Sequence, residues 1–197
     1  MDERTNATLP APTTVRLTAG QLRTLAHPLR ARLLGSLRLD GPATATTLAG
    51  VLGTNSGATS YHLRQLAAVG LVVEQPDAGR GRERWWRAAH DVTSFQPSDY
   101  AGEPDAAAAA DWLEDHALAS LAAQFTDWTA SRSRFPAAWR QAASVNDFAL
   151  RLSPAALQQL TADIWHLLLS YRERPDADGP DVEQVIVGYL AFPRAAG

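Results

Sequence analysis

The sequence predicts a mainly α-helical chain with a small β content (α+β), organised as two domains, and three observations carry that prediction. Apolar residues recur at three- and four-residue spacing through most of the chain, as on the buried face of a helix. β-prone runs are few and short. A polar stretch from Val92 to Pro104, containing Pro97, Gly102 and Pro104, divides the 197 residues near their middle as a linker would. The domains read from this are a disordered tail at 1–16, polar and proline-containing; an N-terminal domain at 17–90; a linker at 91–104; and a C-terminal domain at 105–193.

The first domain opens on Thr18 and Gln21, spaced as a capping box, followed by an apolar stripe of Leu22, Leu25, Leu29, Leu33, Leu34 and Leu37. His27 and Pro28 interrupt it. The residue before a proline disfavours helical geometry, whereas proline suits a first helical turn, so two helices are expected to meet there. Thr44 reads as the N-cap of a helix carrying Leu48, Val51 and Leu52, which Gly53 ends as a left-handed C-cap. Asn55 caps the next helix. On it Thr59, His62, Leu63 and Leu66 share one face, and Ser56, Gly57, Ser60, Tyr61 and Arg64 share the opposite, small and polar one.

Behind this helix pair lies a hairpin pattern: a β-prone run Leu71–Gln75, turn residues P-D-A-G-R-G-R from Pro76 to Arg82, and a second run Glu83–Ala88 with Trp85 and Trp86. By itself the arginine-bearing turn is as easily a solvated loop. Following two helices and a tight turn, it reads as the wing of a winged helix-turn-helix, whose guanidinium groups lie along phosphates or in a narrow minor groove. The candidate DNA-binding residues are Thr44, Asn55, Ser56, Gly57, Ser60, Tyr61, His62, Arg64, Arg80, Arg82 and Arg84. Ser56, Gly57, Ser60 and Tyr61 would face base edges, Arg64 a phosphate or base, and Arg80 and Arg82 the flanking backbone. His62 also reads as a packed side chain beside Leu66.

Charge is distributed accordingly. Residues 1–92 carry 11 Arg against 7 acids, a net of +4, and residues 93–197 carry 7 Arg against 14 acids, a net of −7. A mildly acidic chain thus hides a basic front half, the electrostatic footprint of a nucleic-acid partner. All 18 basic residues are arginine.

The segment Leu17–Ala89 resembles the DNA-binding domain of ArsR-like winged helix-turn-helix repressors. The resemblance rests on L-A-H-P-L-R-A-R-L-L at Leu25–Leu34, G-P-A-T-A-T-T-L-A from Gly41, and S-Y-H-L-R-Q-L followed by A-V-G-L-V. It implies a homodimeric repressor that binds double-stranded DNA at an inverted-repeat operator. Metal-sensing members use cysteine clusters, and this chain has no cysteine, which excludes thiolate sensing. A site on Asp111, Asp115 and His116 is disfavoured, because adjacent residues diverge on a helix and no second histidine follows at helical spacing. No metal and no cofactor is expected.

In the C-terminal domain a long helix is expected over Asp105–Arg134, with Leu113, Ala117, Leu121, Phe125 and Trp128 at helical spacing. A short helix bearing Trp139 should follow. Ser153 and Pro154 mark the start of another, striped by Leu157, Leu160, Ile164, Leu167, Leu168 and Tyr171. Phe148–Leu152 alternates as a strand and Val182–Phe192 carries the strongest strand signal in the chain, predicting a small β layer around that helix. The stripes suit dimerisation. Trp112, His116, Phe125, Trp128, Trp139 and Trp165 are candidates for a pocket that takes a small apolar effector; the competing reading is core and interface.

No stretch approaches the roughly 20 apolar residues of a membrane span, and the first 16 residues lack a signal core, so a cytoplasmic, bacterial protein is expected. No Walker loop, dinucleotide fingerprint, nucleophile elbow or H-E-x-x-H is present, and no enzymatic activity is expected. The alternative to a regulator is a winged protein-interaction module with only non-specific DNA affinity.

Overall fold

The computed structural model describes residues 13–76, 83–172 and 182–194. It divides into two compact units, one of residues 12–122 and one that begins at Ala123.

In the first unit, the local signals form the helices where they stand. Thr18 and Gln21 make a reciprocal capping box at the start of α1 (Ala19–Leu25), and Pro28 opens α2 (Pro28–Leu39). The junction has its own cap, because His27 Nδ1 accepts a hydrogen bond from the Leu29 amide at 3.2 Å. Thr44 caps α3 (Ala45–Leu52), Gly53 closes it with φ 64°, and Asn55 caps α4 (Ser56–Ala68). Gly53 has open space where a Cβ would sit, so its requirement is the left-handed backbone itself.

The expected hairpin is present. β3 (Val72–Glu74) and β4 (Trp85–Ala88) pair antiparallel with Val72 opposite Ala88, and β2 (Ala43–Thr44) adds to the other edge of β4. Trp86 is buried beneath this sheet, in one cluster with Leu22, Leu33, Leu37, Leu63 and Leu66.

Both margins of this unit differ from expectation. Residues 14–16, placed in a disordered tail, form β1 (Thr14–Arg16), which pairs parallel with β5 (Val92–Ser94), placed in the linker. The rest of the expected linker is also part of the fold. A 3-10 helix at Pro97–Tyr100 buries Tyr100, whose hydroxyl donates to the Leu17 carbonyl at 2.5 Å. Arg38 of α2 holds β5 from beneath, donating from Nε to the His90 carbonyl at 3.1 Å and from Nη1 to Thr93 Oγ1 at 3.3 Å. Burial pushes its pKa down to about 10, opposed by the charge of Asp91. Thr93 and Tyr100 hydrogen-bond inward, while Ser94, Gln96, Ser98, Asp99 and Glu103 are exposed. Finally, α5 (Pro104–Ser131) contributes Ala106, Ala109, Ala110 and Leu113 to the same core, so the first unit extends well past residue 90.

The second unit comprises the end of α5, a 3-10 turn at Arg132–Arg134, α6 (Ala137–Ala142) and α7 (Pro154–Arg172), whose cap is Ser153 Oγ accepting from the Ala156 amide at 3.2 Å. The β layer expected here is absent among the described residues: neither Phe148–Leu152 nor Val182–Phe192 pairs in a sheet. The small β content of the fold lies in the first unit. Alternation signals that a segment tolerates extended backbone, but a strand exists only when another backbone meets its N–H and C=O groups. Phe148 stands 84% exposed and Phe192 76% exposed. Among the described residues, the buried side chains end at Leu113.

Candidate nucleic-acid interface

The candidate surface is built from α4 upward. Asn55 Oδ1 accepts from the Ala58 amide at 2.8 Å, and Thr59 Oγ1 returns a hydrogen bond to the Asn55 carbonyl at 3.0 Å, which ties the first turn to the interhelical turn. Thr59, Leu63 and Leu66 are buried, and this inner stripe packs α4 against α1, α2, α3 and β3. The stripe fixes the rotation of the helix. Ser56, Gly57, Tyr61 and Arg64 are consequently exposed, with Ser60 half-exposed between them. Tyr61 is 54% exposed although it is large and partly apolar. Arg64 has no hydrogen-bond or ion-pair partner among the described residues. Gly57 keeps the cap open as well, because a Cβ there would come within 3.3 Å of Asn55 Oδ1.

Four of the remaining sequence candidates are differently placed. Thr44 is buried, and its hydroxyl accepts from the Thr47 amide at 3.1 Å while bonding the Thr47 hydroxyl at 3.0 Å; it belongs to the cap and not to the exposed face. Asn55 is exposed, but its side-chain oxygen serves the cap. Arg84 is exposed and paired with Glu74 across the hairpin at 3.1 Å, which positions it at the root of the wing. Arg80 and Arg82 lie outside the described residues.

His62 is the fourth. It is half-buried and packs against His27 with ring centroids 4.5 Å apart and the rings tilted by 37°, while Tyr61 meets it edge-on at 5.2 Å. Its Nδ1 is buried and has no hydrogen-bond partner among the described residues. Burial lowers the pKa of both histidines, Arg30 lowers both further, and His27 itself adds to the lowering at His62; a backbone hydrogen bond opposes the shift at His27. Both rings therefore bind protons less readily in the folded than in the unfolded chain. Their contribution to stability is complete above the unfolded value of 6.5 and is lost as pH falls through the folded values below it. Thermal melts should drop between pH 7 and pH 5, and His62→Gln should flatten that drop.

Sequence reasoning missed two cations beside this surface. Arg32 of α2 is exposed and donates from Nη2 to the Leu52 carbonyl at 3.3 Å, at the end of α3. Arg30 bonds the Thr24 carbonyl, and burial lowers its pKa while the nearby Tyr61 phenol opposes that. Arg32 lies on the side of α2 opposite Leu33, Leu34 and Leu37, whereas Arg30 falls on the leucine side, one turn before them.

In the second unit, a cavity of about 330 Å³ collects Phe125 and Trp128 from the six aromatic and histidine candidates. Trp139 and Trp165 are not in its lining, and Trp112 and His116 belong to the first unit, where they stack on each other at 4.7 Å. Among the described residues no group of three or more histidines and carboxylates could hold a metal, and no helix is long and apolar enough to cross a membrane.

Residues 25–75 match the family model of a helix-turn-helix domain. No curated protein matches the chain. Among solved structures it is similar to the homodimeric winged helix-turn-helix DNA-binding domain of Mb0332 from Mycobacterium bovis, described as a possible ArsR-family transcriptional regulator. That match has 21% identity over 63% of this chain and 88% of the other, with a TM-score of 0.34. A second is RV1404 from Mycobacterium tuberculosis, with 14% identity over 76% of this chain and 80% of the other, and a TM-score of 0.32. The likeness of this chain to a known family thus lies in a helix-turn-helix domain at residues 25–75.

Proposed function

We propose that this chain is a homodimeric transcriptional regulator, a repressor without enzymatic activity, that reads an inverted-repeat operator in the bacterial cytoplasm. The observation that carries the reading is the outward face of α4. Its side chains are small, polar or cationic, and a buried leucine stripe fixes their direction. A helix so presented, with a hairpin beside it, has the form that enters a major groove while a wing follows the backbone. The net of +4 over residues 1–92 supplies the attraction to phosphate.

Dimerisation is supported by the second unit. Among the described residues, none of the side chains of its amphipathic stripes and extended segments is buried, and a second copy offers both apolar cover and backbone partners. Phe148→Glu is expected to convert a dimer into a monomer in sedimentation velocity without lowering the melting temperature of the winged unit. A monomeric parent protein would remove this part of the reading.

The test of the whole is fluorescence anisotropy of the protein against DNA selected from a random pool and against scrambled DNA, at several salt concentrations. A regulator binds the selected inverted repeat by roughly 10³-fold or more over the scramble. Equal binding to both, vanishing as salt rises, overturns the proposal and leaves a winged module whose main partner is protein.

A further inference from the structure

The geometry points to a binding site in the second unit for a small, flat organic anion: an aromatic ring system bearing one carboxylate, its ring against Phe125 and Trp128 and its carboxylate on Arg132 and Arg140. The groove that these residues line, with Thr129 and Ser144, has a volume of about 330 Å³ and is open to solvent, since Trp128 is the one lining residue that is partly buried and the others are exposed. That is the lower end of the range for small-molecule pockets, about 300–1,000 Å³, and suits one or two fused rings.

The charge of the ligand follows from the two arginines. They reach one cavity from different elements, the 3-10 turn at Arg132–Arg134 and α6. Neither side chain has an ion-pair or hydrogen-bond partner among the described residues, and both are exposed. Two guanidinium groups left unpaired on one small groove, with no carboxylate in its lining, favour an anion. A purely apolar effector would cover both charges and give them nothing in return.

Other polar groups are set for the same ligand. Thr129 Oγ1 is occupied, donating to the Thr126 carbonyl at 2.8 Å. Ser144 Oγ lies 3.0 Å from Asn146 Nδ2 and accepts its proton, which leaves the serine hydroxyl proton for an acceptor in the cavity. Phe135, outside the lining, braces Trp128 with ring centroids 5.0 Å apart. The lining ends at Ser144 and Val145, where the unpaired apolar segment begins. A ligand anchored on Arg140 and Ser144 therefore bears directly on a segment that the proposed dimer uses. That coupling to DNA rests on the regulator reading; binding itself does not.

The experiment is calorimetric titration of the full chain with 1-naphthoate and with its neutral counterpart 1-naphthamide, on the unaltered protein and on Arg132→Gln and Arg140→Gln. The expected result is saturable naphthoate binding, roughly tenfold or more tighter than the amide, with the preference lost in each variant. Equal affinity for the two compounds, no binding at millimolar concentration, or unchanged preference in both variants overturns the inference. Should a variant fail to fold, the comparison of the two compounds on the unaltered protein still decides. Operator anisotropy without naphthoate is read separately. Charge-selective binding by a protein that ignores DNA sequence retains the pocket and removes the regulator; operator selectivity without naphthoate binding removes only the pocket.

Discussion

Leu63→Ala is expected to destabilise the winged unit by about 2–5 kcal/mol, the cost of removing buried methyl groups from a site that cannot fully collapse. Leu63 is fully buried on the inner face of α4, in the cluster that joins Leu22, Leu33, Leu37, Leu48 and Trp86. That one face meets α1, α2, α3 and β3, so a cavity there loosens most of the contacts that orient the helix. A domain of ordinary stability, about 5–15 kcal/mol, would lose a large share of it. Val51 is the control. It falls in the apolar pattern of α3 but is 64% exposed, and Val51→Ala should change stability by no more than about 0.5 kcal/mol. Urea denaturation of the two variants checks both values. Equal midpoints would mean that α4 does not pack as described.

The second large effect is expected on DNA. Tyr61→Ala should reduce discrimination between selected and scrambled sites by about 1–3 kcal/mol, because a side chain reaching a base edge contributes to sequence choice and little to general affinity. Arg64→Ala should weaken binding to both DNAs and, where the guanidinium neutralises one phosphate, reduce the slope of log affinity against log salt by about one. Neither side chain is buried, so both variants should melt within about 0.5 kcal/mol of the parent in stability. Anisotropy titrations at three or more salt concentrations separate the effects. If both variants bind selected DNA as tightly as the parent, α4 is not the reading helix.

Much of this interface was legible in the residues because its determinants are local. A cap acts within three or four residues, as Thr18 with Gln21, Thr44 with Thr47 and Asn55 with Ala58 do. Helical periodicity then separates an inner from an outer face over two turns, which placed Leu63 and Leu66 inward and Tyr61 and Arg64 outward. The hairpin was legible for the same reason, since β3 and β4 are close in sequence and joined by turn residues. Thr44 shows the limit of that logic. A capping hydroxyl near α4 looks available in sequence, and only the pairing of β2 with β4 shows that it is covered.

What the sequence alone determined, then, is where helices start and stop, which face of α4 is free, and that a basic hairpin follows it. The tertiary structure alone decided that Thr14–Arg16 and Val92–Ser94 pair across nearly 80 residues of chain, that Tyr100 and Arg38 lock them to the winged core, and that Arg132 and Arg140 share a cavity with Phe125 and Trp128. It also decided that Phe148–Leu152 and Val182–Phe192 have no strand partner among the described residues. The physical reason is common to all of these. A helix satisfies its backbone within itself, whereas a strand, a buried cation and a pocket depend on groups that only the folded chain, or a second chain, brings within reach.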